Sequence, residues 1–148
     1  MEIFLGAIFG FVYASFLEWF IHKYLYHGIG KNKNSIFSYH LKQHHVIARK
    51  NNFIDHKFSI VETVGLILLI LIHIPVVFVN IGAFASIMLY ALGFNFLHSK
   101  QHKDEDFAKR NFKWHWEHHM KNPNKNFGVV TCWVDYLLGT RKKYKEKK

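Results

Sequence analysis

The chain has 148 residues and a net charge of +10, with half of its residues hydrophobic and 18% aromatic. This length predicts one domain spanning residues 1–148, and the composition excludes a disordered chain. The charge alone is typical of a nucleic-acid binder, but all 20 lysines and arginines lie in residues 22–57 and 98–148. We therefore expect no nucleic-acid partner. The single Cys132 excludes an internal disulfide and a cysteine-based metal cluster.

Long uncharged segments predict membrane spans. Residues 3–21 contain one charge, Glu18, and as a helix they reach about 28 Å, close to the thickness of the hydrocarbon core of a bilayer. Residues 58–97 contain only Glu62 as a charge and are long enough to cross twice, with a reversal near Asn80. The predicted spans are 3–21, 58–79 and 82–97. The expected fold class is all-α, a multi-pass integral membrane protein with a histidine-rich helical cap.

The two basic segments predict the orientation of the chain. By the positive-inside rule, residues 22–57 and 98–148 lie together on the cytoplasmic face. The N-terminus and the turn near Asn80 then face the opposite side. A bacterial inner membrane and the endoplasmic reticulum are both compatible with this pattern, and membrane lipids are expected partners of the basic segments.

Histidine is the most unusual feature of the sequence, with twelve copies. Ten fall into four clusters that the predicted topology brings to one membrane face. These are His22 and His27; His40, His44 and His45; His98 and His102; and His115, His118 and His119. Residues three or four apart share a helix face, which holds within three of the clusters. His22 and His27 are five apart, so either the helix deforms there or one imidazole reaches round it for both rings to meet.

The spacing predicts that these ten histidines bind metal. Ten imidazoles suit two ions with about five nitrogens each, whereas a structural zinc site closes at four ligands. Five nitrogens leave one octahedral position open for oxygen or water, as non-haem iron requires, although imidazole alone leaves copper, nickel and zinc open. We expect Glu18 and Asp135 to support these ligands as outer carboxylates, with Glu117 a weaker candidate. Each of the three is alternatively a surface acid.

Two stretches resemble a known family. The run from Glu18 to His27 resembles the first histidine box of the fatty acid hydroxylase and sterol desaturase superfamily, especially fatty acid 2-hydroxylases. The stretch from His118-His119 through Asn126-Phe127-Gly128 and Trp133-Val134-Asp135 to Gly139-Thr140 is similar to its C-terminal signature. The second box has one more residue between His40 and His44 than is common there, which leaves the ligand role of His40 open. Val134 stands where tryptophan is usual.

The resemblance implies a membrane oxygenase that uses two iron ions and dioxygen to hydroxylate a C–H bond of a fatty-acyl or related lipid. Zinc is possible in a purified form. The short architecture also resembles bacterial carotenoid hydroxylases, so a carotenoid or sterol-type hydroxylase or desaturase is the alternative. Electrons are expected from an external cytochrome-b-type or ferredoxin-type protein with its reductase, since the chain has no His-Pro-Gly-Gly motif. The oligomeric state is not predicted.

Two histidines fall outside the clusters. We expect His56 to be an interfacial residue without a metal role. His73 lies within the second predicted span, where we expect a neutral ring bonded to the backbone near Pro75, or else a polar contact to substrate. A metal-handling membrane protein is the alternative from a different class. It needs ligands along a path across the membrane, and here they cluster on one face.

Overall fold

The computed structural model describes residues 1–55 and 60–145, and these residues form helices without a strand. Three helical segments are long and apolar enough to cross a membrane: Glu2–Lys31, Ile60–Val79 and Ile81–Lys103. The predicted all-α, three-span fold is therefore confirmed. The predicted start of the second span at residue 58 lies outside the described residues, as does His56. The third helix continues six residues past the predicted end at residue 97 and carries its histidines with it.

The first and third spans are built on α1 (Glu2–Phe20) and α5 (Ile81–Lys103), which lie side by side and parallel. Gly10 lies so close to α5 that a Cβ there would be 2.5 Å from the carbonyl oxygen of Ala83. A Cβ on Gly82 would likewise be 2.0 Å from the carbonyl oxygen of Ile3. Small residues permit this approach, as in other membrane helix pairs. The pair brings both helix ends to one level, where the histidines begin.

The second span runs in the opposite direction, away from the histidines. It consists of α3 (Ile60–His73) and α4 (Val76–Val79), and the regular helix is interrupted between them at Pro75. The chain reverses at Asn80, as predicted. The Asn80 side-chain oxygen caps α5 by accepting from the backbone N–H of Ala83 at 3.0 Å, and its amide donates to the Glu2 carbonyl. The N-terminus and this turn thus share one end of the molecule.

Short helices at the other end form the cap. A π-helix, Ile21–Tyr26, continues α1, and a 3₁₀ turn follows at Ile29–Lys31. A second π-helix, His40–His44, leads directly into α2 (His45–Lys50). The remaining helices are α6 (Glu105–Asn111), α7 (Lys113–Met120) and α8 (Trp133–Leu137). A small core of Trp19, Phe127 and Val134 packs the C-terminal segment against the end of α1.

Candidate metal centre

The structure gathers nine of the ten clustered histidines into two groups whose ring nitrogens converge. In each group, one ring nitrogen from every member lies within 4.8 Å of those of all other members. The first group is His22, His27, His40, His45 and His118; the second is His44, His98, His102 and His119. The groups adjoin, because the His45 ring stacks on the His119 ring with centroids 4.0 Å apart. The tenth histidine, His115, borders the second group, with its Nε2 3.1 Å from that of His119.

A π-helix brings His22 and His27 together. In a regular α-helix, residues five apart point about 140° away from each other. Here the backbone N–H of His27 donates to the His22 carbonyl, an i to i+5 bond of 3.0 Å. This widened turn lets both rings enter the first group. The expected helix deformation is therefore present, and it takes the form of a π-helix, which often marks functional sites.

The second π-helix does the same for His40 and His45. The backbone N–H of His45 bonds to the His40 carbonyl, and the two Nε2 atoms lie 3.2 Å apart. The widened turn thus accommodates the additional residue between His40 and His44, and His40 faces the first group. The sequence pattern paired His40 with His44 on one helix face, but His44 points into the second group instead.

Regular α-helices supply the other histidines. His98 and His102 are four residues apart on α5 and both enter the second group. On α7, consecutive residues divide, with His118 in the first group and His119 in the second. The adjacent residues His44 and His45, at the junction of the second π-helix and α2, divide between the two groups in the same way.

Backbone carbonyls fix the ring orientation in the first group. The Nδ1 of His22 donates to the Phe127 carbonyl at 2.5 Å, and the Nδ1 of His118 donates to the Lys125 carbonyl at 2.7 Å. A carbonyl only accepts, so Nδ1 carries the proton in both rings and Nε2 presents a lone pair. Both lone pairs point into the group, which is the tautomer that a metal ligand requires.

The second group has a carboxylate and further acceptors behind its rings. His44 Nδ1 lies 2.9 Å from a carboxylate oxygen of Asp55, His102 Nδ1 donates to the Phe53 carbonyl at 2.8 Å, and His115 Nδ1 contacts Gln101 Oε1 at 2.6 Å. Phe53 has a positive φ of 75° and is fully buried, with its ring stacked on His102. This unfavourable backbone conformation aims its carbonyl at the ring and is held by the surrounding packing.

The carboxylates in direct contact with histidines are not those that the sequence suggested. Asp55 contacts His44, and Glu62 of α3 approaches His40 Nδ1 at 3.6 Å. Sequence analysis assigned no role to either residue. Glu62 carried a usable signal, because a charged side chain in a predicted span is a functional candidate. Asp55 follows an irregular turn, so no helical spacing linked it to His44.

Glu18 and Asp135 act on the loop behind His22 instead of on a ring. One Glu18 oxygen accepts from the backbone N–H of Val129, and the other accepts from the Tyr90 hydroxyl at 2.8 Å. The buried Asp135 carboxylate accepts from the N–H groups of Phe127 and Gly128, at 2.8 and 2.7 Å. Since the Phe127 carbonyl orients His22, Asp135 supports that ring through Phe127, and Glu18 supports it less directly by holding the following residues of the same loop. Their importance for metal binding stays a prediction.

Glu117 faces away from both groups. Its carboxylate forms a buried ion pair with Arg141 at 2.9 Å and accepts from the backbone N–H of Tyr144 at 3.2 Å. Asn126, which has a positive φ of 62°, joins the same network. Glu117 therefore fastens the C-terminal segment to α7, and its rank below Glu18 and Asp135 agrees with this position.

Burial lowers the pKa of several cap histidines and favours their uncharged form. Desolvation holds the pKa of His40, His45, His115, His118 and His119 well below the usual value of 6.5, and neighbouring rings lower it further. Neutral imidazole is the form that ligates a metal ion, so no proton must be displaced at neutral pH.

The nitrogen atoms themselves fit bound cations. The Nε2 atoms of His44, His98 and His102 are buried and have no hydrogen-bond partner, although they converge. In the first group, neighbouring Nε2 atoms lie 3.0–3.2 Å apart. Two nitrogens bound at right angles to one ion, each at about 2.1 Å, lie about 3 Å apart, whereas tetrahedral angles give about 3.4 Å. The unpartnered Nε2 atoms of His44, His98 and His102 have no donor between them, and a bound cation would remove the cost of burying them together.

Comparison with known proteins agrees with this geometry. A family model described as fatty acid hydroxylase matches residues 7–140, which is most of the chain and includes all ten histidines. The chain belongs to the fatty acid hydroxylase family. Membership indicates an oxidoreductase of the hydroxylase type, and with the three apolar helices it supports an integral membrane protein. No curated protein and no solved structure matches the chain significantly.

An apolar cavity lies between the three spans of this fatty acid hydroxylase family member. Its volume is about 560 Å³, within the range of small-molecule sites. Aliphatic side chains of α1, α3 and α5 form most of its wall. At the cap end, His22 and His40 of the first group and His98 of the second line the same cavity. A hydrocarbon chain in this space would therefore lie directly against the histidine cluster.

Proposed function

We propose that this protein is a membrane-embedded, dinuclear iron, dioxygen-dependent hydroxylase that acts on a C–H bond of a fatty-acyl or related lipid. The observation that carries the proposal is the continuity between the apolar cavity and both histidine groups. A metal centre that only stabilised the cap would have no need of an apolar cavity reaching its ligands. Family membership supports the same reaction class.

The donor set favours iron over structural zinc. The first group offers five imidazoles, and the second offers four with His115 at its border. Five nitrogen donors with cis spacing near 3 Å leave one octahedral position for an exogenous oxygen ligand. When bound, two iron ions would supply the dioxygen activation that places one oxygen atom in an unactivated C–H bond. All ten clustered histidines are assigned as ligands in this proposal.

The protein's own contribution is position and exclusion of water. The cavity wall is mostly apolar along the three spans, where aliphatic side chains outnumber the polar Glu18, Glu62, Tyr90 and His73, so a bound acyl chain keeps bulk water from the reacting carbon. The rings are held by Phe127, Lys125 and Phe53 carbonyls and by Asp55, which keeps the nitrogens in place between turnovers. Rotation of a ring away from its ion would break such a bond.

Electrons come from a separate protein in this proposal, of the cytochrome-b or ferredoxin type with its reductase. The distribution of lysine and arginine supports a cytoplasmic position for the cap and the C-terminus. That face also gives a soluble donor access. Membrane anionic lipids would contact the same basic segments.

Transport or storage of metal is less compatible with the geometry. A carrier needs ligands along a route through the membrane. Within residues 1–55 and 60–145, the single histidine that lies away from the cluster is His73, and its two ring nitrogens are occupied by Tyr13 and the Leu69 carbonyl. The cluster sits at one end of the spans, where a reaction site for a membrane lipid is expected.

The test is reconstitution in lipid nanodiscs with iron, a reductase system and isotope-labelled dioxygen. We expect about two irons per chain and lipid products that gain one labelled oxygen atom. The His118→Ala variant should lose product, while Asp106→Asn, a surface substitution on α6, should keep it. A protein that retains one tightly held zinc ion and forms no labelled lipid under these conditions would contradict the proposal.

A further inference from the structure

His73, at the far end of the apolar cavity, is hydrogen-bonded to Tyr13, and the proposed chemistry uses neither residue. At this end the cavity is lined by Ala14 of α1, His73 of α3 and Ile87 of α5. His73 is 7% exposed, and its Nε2 lies 3.0 Å from the hydroxyl of Tyr13. A buried polar group within a span is costly unless it is paired, so the presence of His73 at the end of an apolar cavity requires an explanation.

The hydrogen bonds of the pair have a defined direction. His73 Nδ1 lies 2.7 Å from the carbonyl oxygen of Leu69, one turn earlier on α3. Since a carbonyl only accepts, Nδ1 carries the proton and Nε2 is the acceptor, so the Tyr13 hydroxyl donates to it. Both ring nitrogens are satisfied by protein groups. His73 is thus bonded to the backbone, but through the Leu69 carbonyl, six residues before Pro75, and not through a carbonyl that the proline frees; Tyr13 adds a second bond.

The pair also ties two spans together. Tyr13 belongs to α1 and His73 to α3, and their rings contact with centroids 5.6 Å apart. The second span is the least packed of the three, with 6% of its apolar window buried against 22% in each of the others. A specific bond from α3 to α1 at this level therefore fixes how far the two helices separate, and with that the width of the cavity at its end.

We propose that the Tyr13–His73 hydrogen bond closes the far end of the cavity and sets the longest acyl segment that can lie beyond the histidine cluster. This inference rests on the proposed function for the identity of the occupant. Two helical distances give the length of the cavity. On α3, Glu62 lies beside His40 of the cluster, and His73 comes eleven residues after Glu62, which is about 16 Å of helix. From Ala14 to His22 the rise is about 12 Å.

These lengths convert into a number of carbons. An extended chain advances about 1.2 Å per single bond, as three backbone bonds cover about 3.5 Å. The cavity therefore holds about ten to thirteen carbons between the cluster and His73. A longer segment would press against the imidazole, and such overpacking lowers occupancy by roughly 5- to 100-fold.

The experiment measures which lipids the protein retains, independently of turnover. Protein in nanodiscs is exposed to an equimolar series of saturated fatty acids of even length, and bound lipid is quantified by mass spectrometry. The wild type should show an upper length limit. His73→Ala should raise that limit by two to four carbons, and His73→Trp should lower it. Tyr13→Phe removes the hydrogen bond but keeps the size of the ring, so the cutoff between retained and excluded chain lengths should become less sharp. Leu71→Ala, at an exposed position on the same helix outside the cavity wall, should leave it unchanged.

Each outcome bears on the inference. No length limit in the wild type, or one limit shared by all folded variants, would overturn the closure at His73. Thermal unfolding in the same nanodiscs identifies any variant that fails to fold. If the His73 variants fail to fold, Tyr13→Phe, which removes only a hydroxyl group, still tests the hydrogen bond. A limit that moves as expected, without any hydroxylated product from the wild type, would support the closure while counting against the proposed function.

Discussion

The sharpest test of the outer carboxylates is the substitution Asp55→Asn. Asparagine has nearly the same shape and keeps an oxygen that can accept from His44 Nδ1, so the 2.9 Å contact survives while the negative charge is lost. The backbone bond from Asp55 N–H to the His102 carbonyl is also retained. The variant therefore isolates the effect of charge on the ligand strength of His44.

The expected magnitude follows from the position of the carboxylate. Its side chain is 1% exposed, so solvent screens its effect on the ring very little. Loss of such a partner lowers metal affinity by roughly 10- to 100-fold, which is about 1.4–2.7 kcal/mol. The metal-free protein should lose less, about 1 kcal/mol of unfolding free energy, since a charged hydrogen bond becomes a neutral one.

The assay is a metal titration of the apoprotein against a chelator of known affinity. We expect two binding phases in the wild type and a weakening of one in Asp55→Asn. Asp106→Asn is the matched control, because it makes the same substitution at an exposed position of α6. Equal affinities for Asp55→Asn and the wild type, or an equal loss in the control, would refute the role assigned to Asp55.

Three further substitutions test other parts of the structure. Glu18→Gln places an amide against backbone N–H groups of the loop and should destabilise the protein by about 1–3 kcal/mol, seen in thermal unfolding. Gly10→Leu would drive a side chain into the α5 backbone and should cost about 1–3 kcal/mol, whereas at Gly93 an added Cβ meets no atom within 4 Å, so Gly93→Leu should fold normally. His118→Ala should reduce bound metal from about two ions to about one per chain by elemental analysis, and His56→Ala should retain both.

Much of the fold follows from the sequence because the signals are strong and local. Uncharged segments of bilayer length predict the spans, and the spans bring His22 and His98 to one end without any knowledge of packing. The convergence of four clusters is a consequence of chain direction alone. The close packing of α1 on α5 is harder to predict from the sequence, because Gly10 and Gly82 indicate a helix interface only once the partner helix is known.

The outer contacts of the centre could not be read from helical spacing. Asp55 reaches His44 from an irregular turn, and Phe53 reaches His102 through a left-handed backbone conformation that no propensity favours at phenylalanine. Glu18 and Asp135 were identified as important acids, but their partners are loop N–H groups at positions 127–130. Such contacts depend on the tertiary fold, whereas the ligand clusters depend on local sequence.

The division of adjacent histidines explains why the two groups form one centre. Consecutive residues on an α-helix point about 100° apart, so a pair such as His44-His45 or His118-His119 cannot address a single ion. Each pair instead spans both groups, and the rings of His45 and His119 stack at the boundary between them. A shift of α7, or of the junction between the second π-helix and α2, would therefore move one ligand in each group at once. The π-helices complete this arrangement, because they return His27 and His40 to the group of a residue five positions away without moving the adjacent pairs. The same widened turns that break the regular spacing of the histidines thus allow four short clusters to fill two adjoining sites.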